Sequence, residues 1–225
     1  MELELGGGRL LAQEGTAHGT LDYSCEAGFP GPVAGVDEAG RGPLAGPVVA
    51  AAVILDPDNL PAGIRDSKSL SRSERERLFS AIRAQARGWA IAAASVAEID
   101  RLNVLRATMT AMARAIARLR PCPQTCLVDG NAIPRLEAGP RCLAVIGGDA
   151  HVLSIAAAGI LAKVMRDRIM ARLARRYPDY GWEKNAGYGV RTHLQTLRLV
   201  GVTPHHRKSF APVSQVLLQG NLPIT

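Results

Sequence analysis

The chain has 225 residues, within the range of one large domain or a domain with a small appendage, and its 47% apolar content suits a substantial core. Lys and Arg outnumber Asp and Glu by 27 to 20, a net charge of +7, which raises the prospect of a polyanionic partner such as nucleic acid or a phosphorylated ligand. No apolar run approaches the ~18 residues of a spanning helix, and Met1-Glu2-Leu3-Glu4-Leu5 lacks the basic start and apolar core of a signal peptide. Cys25, Cys122, Cys126 and Cys142 form no CxxC pair and no zinc-finger spacing, so free thiols and a cytoplasmic location are expected.

In chain order, residues 1–30 are rich in Gly and small polar residues without sustained period and read as a flexible extension; residues 31–225 then form the folded domain. Val33 to Val36 is a first strand. It delivers two adjacent carboxylates, Asp37 and Glu38, into the turn Gly40-Arg41-Gly42-Pro43. Like charges held this close repel, more so when buried, and a divalent cation is the usual compensation. Adjacent strand residues point to opposite faces, so the two acids meet at one ion only if the strand ends or bulges there, which Gly40 and Gly42 permit. Bare backbone N–H groups beside the Arg41 guanidinium suit a phosphate or sugar edge.

Pro47 to Leu55 is a second strand, continuous in its apolar run and therefore buried on both faces. Leu60 to Leu70, with Asp66-Ser67-Lys68-Ser69-Leu70, is loop; Ser71 caps a helix reaching about Arg87. Trp89 to Val96 is a third strand, and Ile99 to Leu119 one long amphipathic helix, with Leu105, Met109, Met112, Ile116 and Leu119 near helical spacing. Thr125 to Val128 is a fourth strand, ending at Asp129-Gly130-Asn131, and Cys142 to Ile146 a fifth, ending at Gly147-Gly148-Asp149. Ser154 to Tyr177 is a helix with a basic second half: Lys163, Arg166, Arg168, Arg172, Arg175 and Arg176. A glycine-rich aromatic segment (Gly181 to Val190), a short helix (Thr192 to Val200), the run His205-His206-Arg207-Lys208 and a helical tail (Ala211 to Thr225) complete the chain. Strands alternating with helices give an α/β layer fold with a mixed sheet.

Three of the five strands thus end in acid: Asp37 and Glu38, Asp129, and Asp149. Strand ends are where α/β sheets build sites. Four carboxylates converging there would bind hard cations such as Mg²⁺ or Mn²⁺ through oxygen. Beside a basic surface, that chemistry is metal-assisted phosphoryl transfer. The plainer alternative makes Asp129 and Asp149 ordinary turn acids.

Over residues 32–215 the chain resembles the bacterial ribonuclease HII family, the type 2 ribonucleases H. The matching segments, in order, are Val36-Asp37-Glu38-Ala39-Gly40-Arg41-Gly42-Pro43, Asp66-Ser67-Lys68-Ser69-Leu70, Leu127-Val128-Asp129-Gly130-Asn131, Gly148-Asp149, Ile155 to Arg168, Gly187-Tyr188-Gly189 and His205-His206-Arg207-Lys208-Ser209-Phe210. The resemblance implies an RNase H-like mixed five-stranded sheet flanked by helices, with a C-terminal helical part (about 178–225). It implies Mg²⁺- or Mn²⁺-dependent endonucleolysis of RNA in RNA–DNA hybrids and at single ribonucleotides in duplex DNA, leaving a 3′-hydroxyl and a 5′-phosphate. Asp37, Glu38 and Asp129 are similar to the family's metal ligands and Asp149 to its fourth active-site acid, with two ions when substrate is bound.

Gly40-Arg41-Gly42 resembles the loop that reads the 2′-hydroxyl, the group separating RNA from DNA. Tyr188 resembles the tyrosine packed on the sugar at an RNA-to-DNA junction, and Lys68 a phosphate contact. The chain departs from the pattern at Ala186 for Lys, Val190 for Thr and Gly159 for Ser, positions read as remote from the four acids. His205-His206 is read as a phosphate contact or structural element, His193 as ordinary, and Asp167 as a partner of Lys163. Gln215-Val216-Leu217-Leu218-Gln219 is faintly similar to a sliding-clamp peptide but reads better as a packing helix. A monomer is expected. A non-catalytic nucleic-acid binder and a two-metal nuclease acting on DNA alone are the rival readings.

Overall fold

A computed structural model of the chain describes residues 4–5, 8–11 and 21–220. The strands are β1 (Glu4–Leu5), β2 (Gly8–Leu11), β3 (Val33–Ala39), β4 (Val48–Ile54), β5 (Gly88–Ala94), β6 (Thr125–Asp129) and β7 (Arg141–Val145). The helices are α1 (Ser24–Ala27), α2 (Arg72–Gln85), α3 (Val96–Leu102), α4 (Val104–Arg118), α5 (Leu153–Arg176), α6 (Trp182–Asn185), α7 (Arg191–Val200) and α8 (Ala211–Gly220). The sheet runs β1-β2-β7-β6-β3-β4-β5. The five expected strands are its contiguous part from β7 to β5, and β2 adds parallel to the β7 edge. β3, β6 and β7 run parallel, while β4 and β5 form an antiparallel meander on β3.

β4, Val-Val-Ala-Ala-Ala-Val-Ile, is buried along its whole length, as its unbroken apolar run requires. Val49, Ala51 and Val53 join the core under α5 and α2; Val48, Ala50, Ala52 and Ile54 join the core under α4. α5 lies across β3 and β4, and Gly35 is what lets it come so close: a Cβ there would stand 2.1 Å from the Ser154 carbonyl carbon. A third core of Leu44, Tyr180, Trp182, Leu197 and Val213 ties the C-terminal helices to the body.

Three readings need correction. β3 does not stop at Val36: it stays paired with β4 through Asp37–Ala51, Glu38–Ala50 and Ala39–Val49. The long helix expected over 99–119 is two, broken at Asn103, whose backbone takes φ 69° while its side chain accepts the Arg106 N–H at 3.0 Å. α3 has its own capping box, Ser95 with Glu98, a start signal that the apolar period obscured. Within the segment read as a flexible extension, Leu21, Tyr23, Cys25 and Phe29 pack on the body. Glu26, buried, accepts the Ser154 N–H at 2.6 Å and so serves an orphan donor at the start of α5.

Candidate active site

The register of the parallel strands assembles the acids. Val36 pairs with Val128, so Asp37 and Asp129 are the next residues on neighbouring strands. Asp129 pairs with Val145 on β7, and the chain then turns through Gly147-Gly148 to Asp149. The Asp129 Oδ1 accepts the Gly148 N–H at 2.7 Å, pinning that turn to β6. β6 ends at Asp129, leaving the flank of β3 open beside the acid pair; this open flank replaces the strand end expected there. Asp37, Glu38 and Asp129 line one pocket of about 280 Å³, together with Gly40-Arg41-Gly42, Lys68 and Tyr188. Asp149 joins through Lys68, whose Nζ donates to its Oδ2 at 2.8 Å.

The carboxyls of the site are displaced from their ordinary range by burial first and by one another second. Burial, then Glu38 and Asp129, push the Asp37 carboxyl well above its ordinary range. Burial raises Glu38, offset in part by Arg41 at 3.6 Å, and burial followed by the Asp149 charge raises Asp129. Asp37 receives one N–H, from Glu38 at 2.7 Å. Among the described residues no three Asp, Glu, His or Cys side chains already close around a single point. The donor set nonetheless fits a hard divalent ion: carboxylate oxygens from β3, β6 and the turn after β7, Asp37 buried and the others half-buried, mutually repelling and beside a pocket. Gly159 of α5 belongs to the cradle, since a Cβ there would lie 2.4 Å from the Asp37 Oδ2. The expectation that Gly159 stands apart from the acids is therefore wrong.

The residues expected to contact substrate, Gly40-Arg41-Gly42, Lys68 and Tyr188, line the same pocket. Tyr188 is 47% exposed, and its ring edge would lie 3.5 Å from a Cβ on Gly42. The basic face of α5 is smaller than its sequence suggests. Arg166 is buried, donating to the carbonyls of Ala45, Pro47 and Ala186; Arg168 pairs with Glu76 and lies over Phe79; Lys163 pairs with Asp167 at 2.7 Å, as expected. Three buried groups near the site had no role there in the sequence reading: Arg166, counted in the basic half of α5, Arg207, within a motif segment, and His193, read as ordinary. Their one signal was polar residues inside motif segments, which reads equally as surface. Ala186, at φ 48°, ends α6 and gives its carbonyl to Arg166; Val190 starts α7 without a side-chain cap.

Comparison with known proteins gives the family. The family described as Ribonuclease HII matches residues 34–213. The ribonuclease HII of Paracoccus denitrificans (strain Pd 1222) is 60% identical over 185 residues, covering 82% of this chain and 87% of that protein. The crystal structure of the ribonuclease H2 from Pyrococcus horikoshii OT3 superposes with TM-score 0.72 at 28% identity, covering 83% of this chain and 97% of that one. The ribonuclease HII of a complex with PCNA from Archaeoglobus fulgidus superposes with TM-score 0.68 at 29% identity, covering 82% and 96%. Family match, sequence identity and shared fold agree, and the chain belongs to the ribonuclease HII family, the divalent-metal-dependent endoribonucleases acting on RNA paired with DNA.

Proposed function

We propose that Asp37, Glu38, Asp129 and Asp149 hold two divalent ions, Mg²⁺ or Mn²⁺, at the scissile phosphate of an RNA–DNA hybrid or of a duplex carrying one ribonucleotide. The single observation that carries this reading is the strand register, which sets Asp37 beside Asp129 in one pocket with the Gly40-Arg41-Gly42 turn and Tyr188. Asp37, the most buried and most repelled of the four, would be the carboxylate that a bound cation stabilises most. Bound ions supply Lewis-acid charge on the phosphate and lower the pKa of the attacking water. The water oxygen bonds to phosphorus, the P–O3′ bond breaks, and the products carry a 3′-hydroxyl and a 5′-phosphate.

The protein's own groups select and hold the substrate. The backbone N–H groups of Arg41 and Gly42 meet no acceptor among the described residues and are available to the 2′-hydroxyl. Tyr188 offers an exposed ring for the neighbouring sugar. Lys68, with its side chain 78% exposed and tethered among the described residues to Asp149 alone, reaches a phosphate. The protein works as a cytoplasmic monomer. Residues 215–219 lie in α8, where Val216 and Leu217 pack on the C-terminal core and Leu218 is exposed, an arrangement that favours packing over clamp capture.

The test is cleavage of a DNA duplex carrying one ribonucleotide, with Mg²⁺, Mn²⁺ or EDTA, beside an all-DNA control. Metal-dependent cutting on the 5′ side of the ribonucleotide with the control intact is expected. An all-DNA duplex cut as fast would make the chain a general DNA nuclease, and folded protein that binds without cutting would make it a binder.

A further inference from the structure

The Gly40-Arg41-Gly42 turn and the Tyr188 loop come from opposite ends of the chain, yet one segment, Thr203 to Arg207, holds both through its buried residues Thr203, His206 and Arg207. Arg207 is fully buried and has no acidic partner among the described residues. Its guanidinium donates through Nε to the Gly46 carbonyl at 3.0 Å, through Nη1 to the Arg41 carbonyl at 2.7 Å and through Nη2 to the Gly40 carbonyl at 2.5 Å. In a trans peptide the C=O and the following N–H point in opposite directions. Drawing the Gly40 and Arg41 carbonyls inward therefore aims the N–H groups of Arg41 and Gly42 outward. Gly40 permits the approach, with φ 98° and a would-be Cβ 1.9 Å from the Arg166 side chain.

The other loop is reached through two histidines whose tautomers follow from their neighbours. The Trp182 indole N–H only donates, so His193 Nε2, at 3.1 Å, accepts, and His193 Nδ1 carries the proton donated to the Tyr188 carbonyl at 2.8 Å. The Thr203 backbone N–H only donates, so His206 Nδ1, at 3.0 Å, accepts, and His206 Nε2–H shares the single lone pair of His193 Nε2, at 3.1 Å, with the Trp182 N–H. The chain of bonds runs Thr203, His206, His193, Tyr188. Backbone bonds lock the segment in place: Arg207 N–H to the Leu44 carbonyl at 2.8 Å, Gly46 N–H to the His205 carbonyl at 2.9 Å, and Leu44 N–H to the Gly187 carbonyl at 2.8 Å.

We propose that Arg207 is the positioning residue that aims the Arg41 and Gly42 N–H groups at the ribose, and that His206, through His193, fixes Tyr188 from the same segment. Ribonucleotide selection thus depends on a buried clamp that never touches substrate. The clamp rests on the substrate reading above only for its purpose, since its geometry is intrinsic to the free protein. Arg207 stays charged at neutral pH although burial and Arg166 bring it down to about 9. Lysine cannot replace it, because one ammonium cannot span three carbonyls as a planar fork does.

The test joins amide ¹⁵N relaxation of the metal-free, substrate-free protein to cleavage kinetics on the single-ribonucleotide duplex. In the wild type, the amides of Arg41, Gly42, Tyr188 and Gly189 should show order parameters near the ~0.85 of rigid backbone. Arg207→Lys should drop Arg41 and Gly42 toward ~0.6 and raise KM about tenfold or more, with kcat within about threefold and Mn²⁺ affinity unchanged. His206→Phe should loosen Tyr188 and Gly189 alone. A merely structural Arg207 would lower the active fraction, and so kcat, leaving KM and loop order as they were. Mobile loops in the wild type, or unchanged order and KM in Arg207→Lys, would overturn the clamp. Should Arg207→Lys fail to fold, the wild-type relaxation decides. Should the wild type not cut, the substrate reading falls while relaxation still decides the clamp.

Discussion

The acids at the strand ends and the guanidiniums beneath the loops are both buried charges of one sign, and the fold treats them in opposite ways. Arg166 and Arg207 each donate to three carbonyls. Asp37 accepts the Glu38 N–H and Asp129 the N–H groups of Gly148 and Asp149, and each is further raised by neighbouring acids, Asp37 by Glu38 and Asp129 and Asp129 by Asp149. A buried charge with a full set of hydrogen bonds is scaffold, whereas buried charges facing their own kind await an ion from outside. The acids therefore cost the metal-free protein stability, while the guanidiniums hold it together.

The largest expected effect breaks that contrast at its centre. Asp37→Asn should cut turnover by at least about a hundredfold, the upper range for disturbing a group one step beyond a metal. It should leave the metal-free protein as stable as wild type at pH 7, or more so. The sign follows from proton linkage. A carboxyl whose folded pKa is raised binds its proton more tightly in the native state, so stability falls as pH rises from about 4 through that raised value. Asp37, Glu38 and Asp129 all act in this direction. Glu74 and Glu98, held at about 2 by their capping and arginine contacts, act oppositely and only below pH ~4. Melting in EDTA from pH 5 to 7.5 should show the wild type losing stability relative to Asp37→Asn as pH rises, with Mn²⁺ erasing the difference. Full activity in Asp37→Asn, or a large metal-free destabilisation, would refute the assignment.

The two regions were not equally legible in the sequence. The acids announced themselves, because a strand signal followed by a carboxylate and glycine is local and was repeated at Asp37, Asp129 and Asp149. Their convergence followed from parallel strands, which place all such ends on one edge. The clamp was not legible, because its bonds link residues 40–46, 182–193 and 203–207, and a guanidinium bonded to carbonyls leaves no charged partner to look for. His205-His206 reads as a phosphate contact or a structural element, and the burial of His206 and Arg207 decides for the structural element there. Helix boundaries failed where a cap overrode the apolar period, at Asn103. The packing of Leu21, Tyr23, Cys25 and Phe29 was hidden because its anchor, Glu26, contacts a backbone N–H 128 positions away.

A smaller effect should sharpen the acid side of the contrast. Gly159→Ala places a methyl where the Asp37 Oδ2 now sits, at 2.4 Å, and the carboxylate must turn away or α5 must shift. Overpacking of this kind costs about 1–3 kcal/mol. The same displacement should weaken Mn²⁺ binding several-fold, read by calorimetry without substrate. Unchanged stability and unchanged Mn²⁺ affinity would mean that Asp37 has room to spare and that the glycine is incidental.

The smallest effect concerns a gap on the well-satisfied side. α7 begins at Arg191 with Val190 in the cap position, its backbone extended at φ −70° and ψ 160°, the geometry from which a short hydroxyl side chain reaches the N–H two or three residues on. Valine has no acceptor, so the first turn of α7 lacks a side-chain cap. Val190 is 43% exposed, so threonine, with nearly the same shape, loses little by the exchange. Val190→Thr should stabilise the protein by about 0.5–1 kcal/mol, a rise of roughly 2–4 °C per kcal/mol in a chain of this size. Cleavage should not change, because the Tyr188 carbonyl is held by His193 and not by the start of α7. A gain in melting temperature accompanied by altered preference for the single-ribonucleotide duplex would show instead that the cap and the tyrosine loop move together. The clamp would then extend into α7.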